Sequence, residues 1–594
     1  MRPPLVLGAL AVTAVLTGAL ALHPVPPDAP LRPLAGSVPH WPAGVQRTGT
    51  ARTGSVSFSV LLAPDRLAGA PSIRGWLQDH GLHAAPVRPA AASIPVEGPV
   101  DQVADAFHTT FARYRTAQGT VVTAPERPLS VPRELAAVTG IAGVVVADTI
   151  RPTEVARGTS PTVRGHVLAD DGTCAAYWGE KVTTDWPASV VVDHRSNALC
   201  GYGPAQLREV HHLPADVTGR GARIAIVAAF DDPDVEQDTD TYARATGTQP
   251  FTAGQYRNHA PDAPDVDRCG GPEAWTEEQH LDVQAVHAMA PDATVDYWGA
   301  ADCGTTAMYS RILDAVEDGH ADVISLSFGS TEQLDTADDR ALLNRVLVEA
   351  ASQGISVFAS SGNDGDYSDA GDHGAGASVA SPASSPYVTA VGGTSTGLAA
   401  DGSVAVEAGW ETQTRFARNG AVIPPGFAYG AGGGESGTSA RPTWQRDDIR
   451  RGGTGRLVPD VASIADPDTG FVTYGPHHGR TEYAAHGGTS LATPMVASMV
   501  AMSKAVTGRR IGLASPALFA LRGTAALRDV HPTSAATWSP RGPDAGALWP
   551  ETIAMWDTRP QSLQSGPGWD DVTGLGVPDG RAFIERFGAT EAGR

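Results

Sequence analysis

The sequence predicts an α/β molecule, with a doubly wound, mostly parallel sheet over residues 202–594 preceded by a small α+β domain over residues 55–150. Three observations predict it. From Arg223 onward, apolar runs of strand length alternate with stretches of helical spacing, the pattern of repeated βαβ units. The first run, Ile224-Ala225-Ile226-Val227, is continuously apolar, as in strands buried on both faces of a parallel sheet. And 594 residues with 42% hydrophobic and 18% charged side chains suffice for several domains around a large core.

Taken in order, residues 1–21 carry Arg2, an apolar stretch from Leu5 and the small-x-small pattern Ala19-Leu20-Ala21. They read as a secretion signal cleaved after Ala21, with an uncleaved anchor as the alternative. A secreted, extracellular protein is therefore expected. Residues 22–54, rich in proline and small side chains, read as a tether with no core of its own. Residues 55–62 alternate like a strand, and residues 120–124 read as another. Residues 72–80 and 100–114 have helical spacing around Trp76, Leu77, Val103 and Phe107. This domain has no clustered catalytic groups, so a packing or inhibitory role is expected. Residues 151–201 read as a loop-rich linker holding a processing region. Four cysteines in an exported chain suggest two disulfides, and of the three possible pairings spacing favours Cys174 with Cys200 and Cys269 with Cys303.

In the larger part, strands are expected at 223–227, 294–298, 323–327, 356–359 and 388–391, and helices at 278–290, 306–317 and 341–352. The site of such a sheet lies at the carboxyl ends of its strands. A formal charge of -22 opposes broad affinity for nucleic acid or anionic membranes, so neither partner is expected. A monomer is expected.

The stretch Gly487-Gly488-Thr489-Ser490-Leu491-Ala492-Thr493-Pro494 sets a hydroxyl at the mouth of a helix running through Val500. The glycines allow close approach of another chain, and a helix N-terminus favours developing negative charge. Ser490 is thus a candidate nucleophile, although the same pattern suits an N-cap. A serine needs a base. In Glu277-Glu278-Gln279-His280-Leu281-Asp282, positions 278 and 282 share a helix face, while Glu277 is turned roughly 100° away. Two such carboxylates repel when both are ionised, so one tends to hold a proton and the pair titrates as a unit. Alone, the run also suits a solvated helix start.

Glu278-x-x-x-Asp282, Ser360-Ser361-Gly362, Pro382-Ala383-Ser384-Ser385-Pro386-Tyr387, Val458-Pro459-Asp460-Val461 and Gly488-Thr489-Ser490, in that order, resemble the sedolisin family of serine-carboxyl peptidases. Residues 55–147 resemble that family's activation prodomain. The resemblance implies a subtilisin-like fold with Ser490 as nucleophile, Glu278 as general base and Asp282 orienting and electrostatically supporting Glu278. It also implies a zymogen whose prodomain assists folding and blocks the cleft until removed in acid. A histidine-based subtilisin is the nearest rival. Its first core strand would end in an acid, whereas here Ile226-Val227-Ala228-Ala229 does not. His280 and His287 lie off the Glu278/Asp282 face and read as surface or packing residues.

One departure matters. Relatives carry aspartate after Ser-Gly in the strand-end loop, but this chain reads Ser361-Gly362-Asn363-Asp364-Gly365. The Asn363 amide can donate the same oxyanion hydrogen bond at any pH. Alternatives are a one-residue slip that uses Asp364, or a purely structural Asn363. The resemblance also implies substrate contacts from Ser325, Ser327 and Gly329, where a peptide could add as a strand, and from Gly432, Gly433 and Gly434 in a glycine-rich loop. It implies one structural Ca2+ site from the side chains of Asp529 and Asp570 and the carbonyls of Val530, Gly566 and Gly568. The expected function is a secreted, acid-acting endopeptidase on peptide or protein substrates. A tripeptidyl exopeptidase and a catalytically silent peptide-binding homologue are the alternatives.

Overall fold

The computed structural model describes residues 30–41, 44–116, 120–147, 150–159, 163–164, 167–168, 174–184, 186, 188, 190–368, 377–418, 421–422, 426–449, 451–477, 479–539, 551–557 and 561–589. Residues 1–21, expected to be a secretion signal, lie outside these residues. At the centre of the main sheet is Arg223–Ala229, whose apolar run is buried on both faces. The strand order is Tyr256–His259, Thr294–Ala300, Arg223–Ala229, Val323–Leu326, Ser356–Ser360, Thr389–Leu398 and Val404–Gly409. Val461–Ile464 also pairs with Thr389–Leu398. Pairing is parallel throughout except at Val404–Gly409.

The order reverses at Arg223–Ala229. From that strand the chain passes through Val235–Thr246 to Tyr256–His259 at the sheet edge, returns through Glu273–Met289 to Thr294–Ala300, and crosses through Thr305–Asp318 to Val323–Leu326 on the other side. Ala337–Ser352 packs beside Thr305–Asp318, and Thr489–Thr507 packs against Glu273–Met289. Every residue from Glu278 to Met289 is buried, so both carboxyls of that helix lie inside the protein. The reversal opens a crevice at the strands' carboxyl ends, where the loop after Ser356–Ser360 and the mouth of Thr489–Thr507 meet.

The N-terminal domain has an antiparallel sheet in the order His83–Ala84, Ser93–Pro99, Ser55–Leu62, Val138–Ala142. Val56, Phe58, Trp76, Leu77, Phe107 and Phe111 share its core. Two expectations need correction here. The helix expected over 100–114 stops at Ala106; His108 takes a left-handed φ of 52°, and Phe111–Arg115 is a strand. Residues 22–54, expected to be a coreless tether, instead supply strands: Leu31–Pro33 pairs with Ser130–Pro132, Gln46–Ala51 pairs with Phe111–Arg115, and Leu34 is buried in the domain core.

This domain docks on the two helices of one sheet face. Arg88 reaches Asp314 at 2.8 Å and Glu317 at 2.7 Å. The backbone N–H groups of Ile141 and Gly143 donate to Asp338 at 2.8 Å and Asp339 at 2.6 Å. Arg345 donates to the Leu62 and Ala92 carbonyls, each at 3.0 Å. The disulfides are Cys174–Cys200 and Cys269–Cys303. Among the described residues no helix is long and apolar enough to cross a membrane.

Candidate active site

Gly488 enters the Thr489–Thr507 helix at φ 90°, a conformation open to glycine at little cost. A Cβ there would lie 2.1 Å from the Thr153 carbonyl oxygen, so the glycine also makes room for another stretch of the chain. Ser490 follows in the first helical turn, fully buried. Its hydroxyl donates to Glu278 Oε2 at 2.7 Å. Four residues further along Glu273–Met289, Asp282 Oδ1 accepts from the Ser327 hydroxyl at 2.7 Å. Pro494 has no N–H for the Ser490 carbonyl four residues back, and Ser327 Oγ lies 3.3 Å from that oxygen. Ser327 thus ties the carboxyl helix to the serine helix.

Burial raises both carboxyl pKa values well above their ordinary range. For Glu278 the neighbouring Asp282 charge adds to the shift, and Glu154 adds further. For Asp282 the Ser327 hydroxyl offsets part of it. The second oxygen of each carboxyl, Glu278 Oε1 and Asp282 Oδ2, is buried with no hydrogen-bond donor among the described residues. With the Asp282 charge raising Glu278, the two carboxyls titrate as a unit that keeps a proton above the usual carboxylate range.

The linker occupies this crevice. Arg151 and Pro152 pair antiparallel with Gly329 and Phe328, and the Thr153 N–H donates to the Ser327 carbonyl at 3.2 Å. The Thr153 carbonyl accepts from Asn363 Nδ2 at 2.6 Å and from the Ser490 N–H at 3.2 Å. The other end of the Asn363 amide accepts from the Thr489 N–H at 2.9 Å, which fixes the donor end toward Thr153. The Thr153 hydroxyl lies 2.8 Å from Ser490 Oγ and donates to Ser360 Oγ at 2.7 Å. Beyond Thr153, Val155 and Ala156 pair with Gly487 and His486. A peptide unit is thus held with its carbonyl between two donors, beside a serine hydroxyl that donates to a carboxyl.

The sequence-derived residues divide as follows. Ser490, Glu278, Asp282, Asn363, Ser327 and Gly329 come together on the linker. Asp364 forms a backbone bridge with Gly430. Ser325 lies buried within its strand, paired with Ile226 and Phe358, and Gly432 and Gly433 pack closely on the Ser361 and Asp571 backbone. Gly434 pairs with Val458. His280 and His287 are both buried, His280 against Asp238 and the Thr276 carbonyl, His287 against the Gln249 carbonyl. They are packing residues, not surface ones.

Thr153, Glu154, His477 and His486 were not singled out in the sequence. Glu154 Oε2 lies 2.8 Å from His486 Nδ1, and His477 Nδ1 lies 3.0 Å from Glu277 Oε2. One ligand atom each of Glu277, His477 and His486 falls within 4.8 Å of the others. These residues are far apart in sequence, so no local spacing signals them.

The expected calcium ligands are brought together by one loop. The Gly568 N–H donates to Asp529 Oδ2 at 2.9 Å and the Gly566 N–H to Asp570 Oδ2 at 3.2 Å. Asp570 also accepts from the Val572 and Thr573 N–H groups at 2.8 and 2.7 Å. Burial pushes Asp570 up to about 7. Two carboxyls held by one loop, one of them buried, are hard oxygen ligands of the kind a Ca2+ ion takes.

The subtilase family model matches residues 269–547, and that of the pro-kumamolisin activation domain matches residues 65–146. Kumamolisin of Bacillus sp. (strain MN-32) is 27% identical over 527 residues, 86% of this chain and 82% of its own. Sedolisin of Pseudomonas sp. (strain 101) is 25% identical over 549 residues, 90% of this chain and 82% of its own. Tripeptidyl-peptidase 1 of Homo sapiens is 27% identical over 333 residues, 52% of this chain and 51% of its own. An activation domain ahead of a subtilase domain, with matches over most of the chain to these relatives, makes this chain a serine-type peptidase similar to the sedolisin family.

Proposed function

We propose that this peptidase is a secreted, acid-acting serine-carboxyl endopeptidase that first cuts its own linker between Thr153 and Glu154. The observation that carries this is the Thr153 carbonyl, held by Asn363 Nδ2 and the Ser490 N–H while the Ser490 hydroxyl donates to Glu278. Ser490 Oγ attacks that carbonyl carbon as Glu278 takes its proton. Charge building on the oxygen falls between two donors already aimed at it. Glu278 then passes the proton to the departing nitrogen of Glu154, leaving an acyl group on Ser490. A water molecule, deprotonated by Glu278, releases it. Asp282, held by its bond from Ser327, supports Glu278 electrostatically. The prodomain, joined to the linker in the crevice, blocks the site until that bond is cut.

Calcium would be held by the carboxyls of Asp529 and Asp570 with the carbonyls of Val530, Gly566 and Gly568, where it supplies charge balance for a buried carboxyl and stiffens the loop. Secretion is supported by the leader-like residues 1–21 and by two disulfides.

Tripeptidyl action is the second reading, favoured by one relative's name. Against it, Arg151 on Gly329 is the third residue before the bond, and the chain continues upstream of it into the prodomain. Intact mass of the full chain after acid incubation tests the proposal. The expected result is a mature N-terminus at Glu154 and turnover of N-terminally blocked peptides, both absent in Ser490→Ala. Identical behaviour of the two proteins would overturn it.

A further inference from the structure

The position directly after the bond presented to Ser490 has its own chemistry. Glu154 Oε2 lies 2.8 Å from Nδ1 of His486, whose side chain is buried with 3% exposure. His486 sits two residues before Gly488 on Arg480–Gly487, the strand with which the linker itself pairs. The imidazole therefore has a fixed height relative to the reacting carbonyl. Two acidic groups face it, Glu154 and Glu277, the second at 3.9 Å. Glu277 is engaged by His477 Nδ1 at 3.0 Å, which leaves His486 as the partner of the Glu154 carboxylate. Two carboxylates are thus matched by two imidazoles.

Resting on the proposed cleavage between Thr153 and Glu154, we propose that this subsite selects an acidic residue immediately after the scissile bond, and that His486 is the residue that reads it. A carboxylate gains a charge-assisted bond in a buried place. An amide of the same shape gains only a neutral bond. A lysine brings no acceptor for the His486 N–H. His486 touches the substrate side chain and no reacting atom, so its effect is on selection among substrates.

The test uses the full chain after activation, with peptides identical except for Glu, Gln, Ala or Lys directly after a threonine at the scissile bond. For the parent protein kcat/KM should favour Glu over Gln by about tenfold or more, with Lys lowest. In His486→Gln the Glu-to-Gln ratio should fall close to one. Equal kcat/KM for Glu and Gln in the parent, or a preference retained in His486→Gln, would overturn the proposal. Should His486→Gln fail to fold, Glu154→Gln in the full chain replaces it, with a rate of cleavage after Thr153 expected to drop by a similar factor; an unchanged rate overturns the proposal. Failure of the underlying reading looks different, because the parent chain would then never be cut after Thr153, or Ser490→Ala would be cut as well.

Discussion

Ser490 is surrounded by groups that divide its task, with Glu278 on its hydroxyl, Asn363 beside its backbone N–H, and Ser327 between its helix and Asp282. Asn363 is the least expected of them, and it sets a pH dependence. An amide donates at every pH, whereas a carboxyl donates only while protonated. Asn363→Asp should therefore move the alkaline limb of kcat/KM to lower pH, measured over a pH series; an unchanged limb would count against an oxyanion role. Asn363→Ala should lower kcat by about 10² to 10³, the usual cost of losing one such donor. Gly488→Ala tests the close approach itself. Its Cβ would lie 2.1 Å from the Thr153 oxygen, so peptide turnover should fall steeply, and full turnover would refute the crowding.

At the scale of elements, the Ala337–Ser352 helix meets the prodomain through its first turn. Asp338 is covered there by Gly36 and Gly140, and a Cβ on Gly140 would lie 2.6 Å from its carboxyl carbon. Burial pushes Asp338 up to about 6. A carboxyl whose pKa is raised in the docked state favours docking below its ordinary pKa and loses that contribution as pH rises through about 6. Acid thus tightens this contact, so any acid-driven release must come from elsewhere. Asp338→Asn should slow dissociation of the cut prodomain near neutrality, by on the order of 3 kcal/mol at most, and change it little in acid. A faster release of that variant at neutral pH would contradict this.

Elements also show what the sequence made legible. The strands and helices around Arg223–Ala229 were readable because their burial writes a local pattern, apolar runs of strand length and helical spacing. Glu278 and Asp282 were readable because four residues is one helical repeat. The segment 100–114 misled because Val100, Val103, Phe107 and Phe111 keep a helical spacing across the turn at His108. Residues 31–51 were missed because their partners lie some 65 to 100 residues away. Glu154 meeting His486 had no signal at all, since only the folded crevice brings residue 154 to residue 486.

On the scale of the whole molecule, the proposed function makes one chain both enzyme and first substrate. The prodomain lies on one sheet face while the linker after it runs through the crevice, so folding delivers the bond to Ser490 before any other peptide can arrive. Stability of the C-terminal part should depend on calcium through Asp529 and Asp570. Chelation should lower Tm by several degrees in the parent and have little effect in Asp570→Asn, measured by thermal unfolding. An identical Tm with and without chelator in the parent would exclude the site.

All of the chemistry depends on a carboxylate, and not an imidazole, drawing the proton from Ser490. The most direct measurement is the rate at which full-length Glu278→Gln cuts its own Thr153–Glu154 bond, followed by intact mass alongside the parent. A fall of about 10² to 10⁴ is predicted; cleavage near the parent rate would contradict the mechanism.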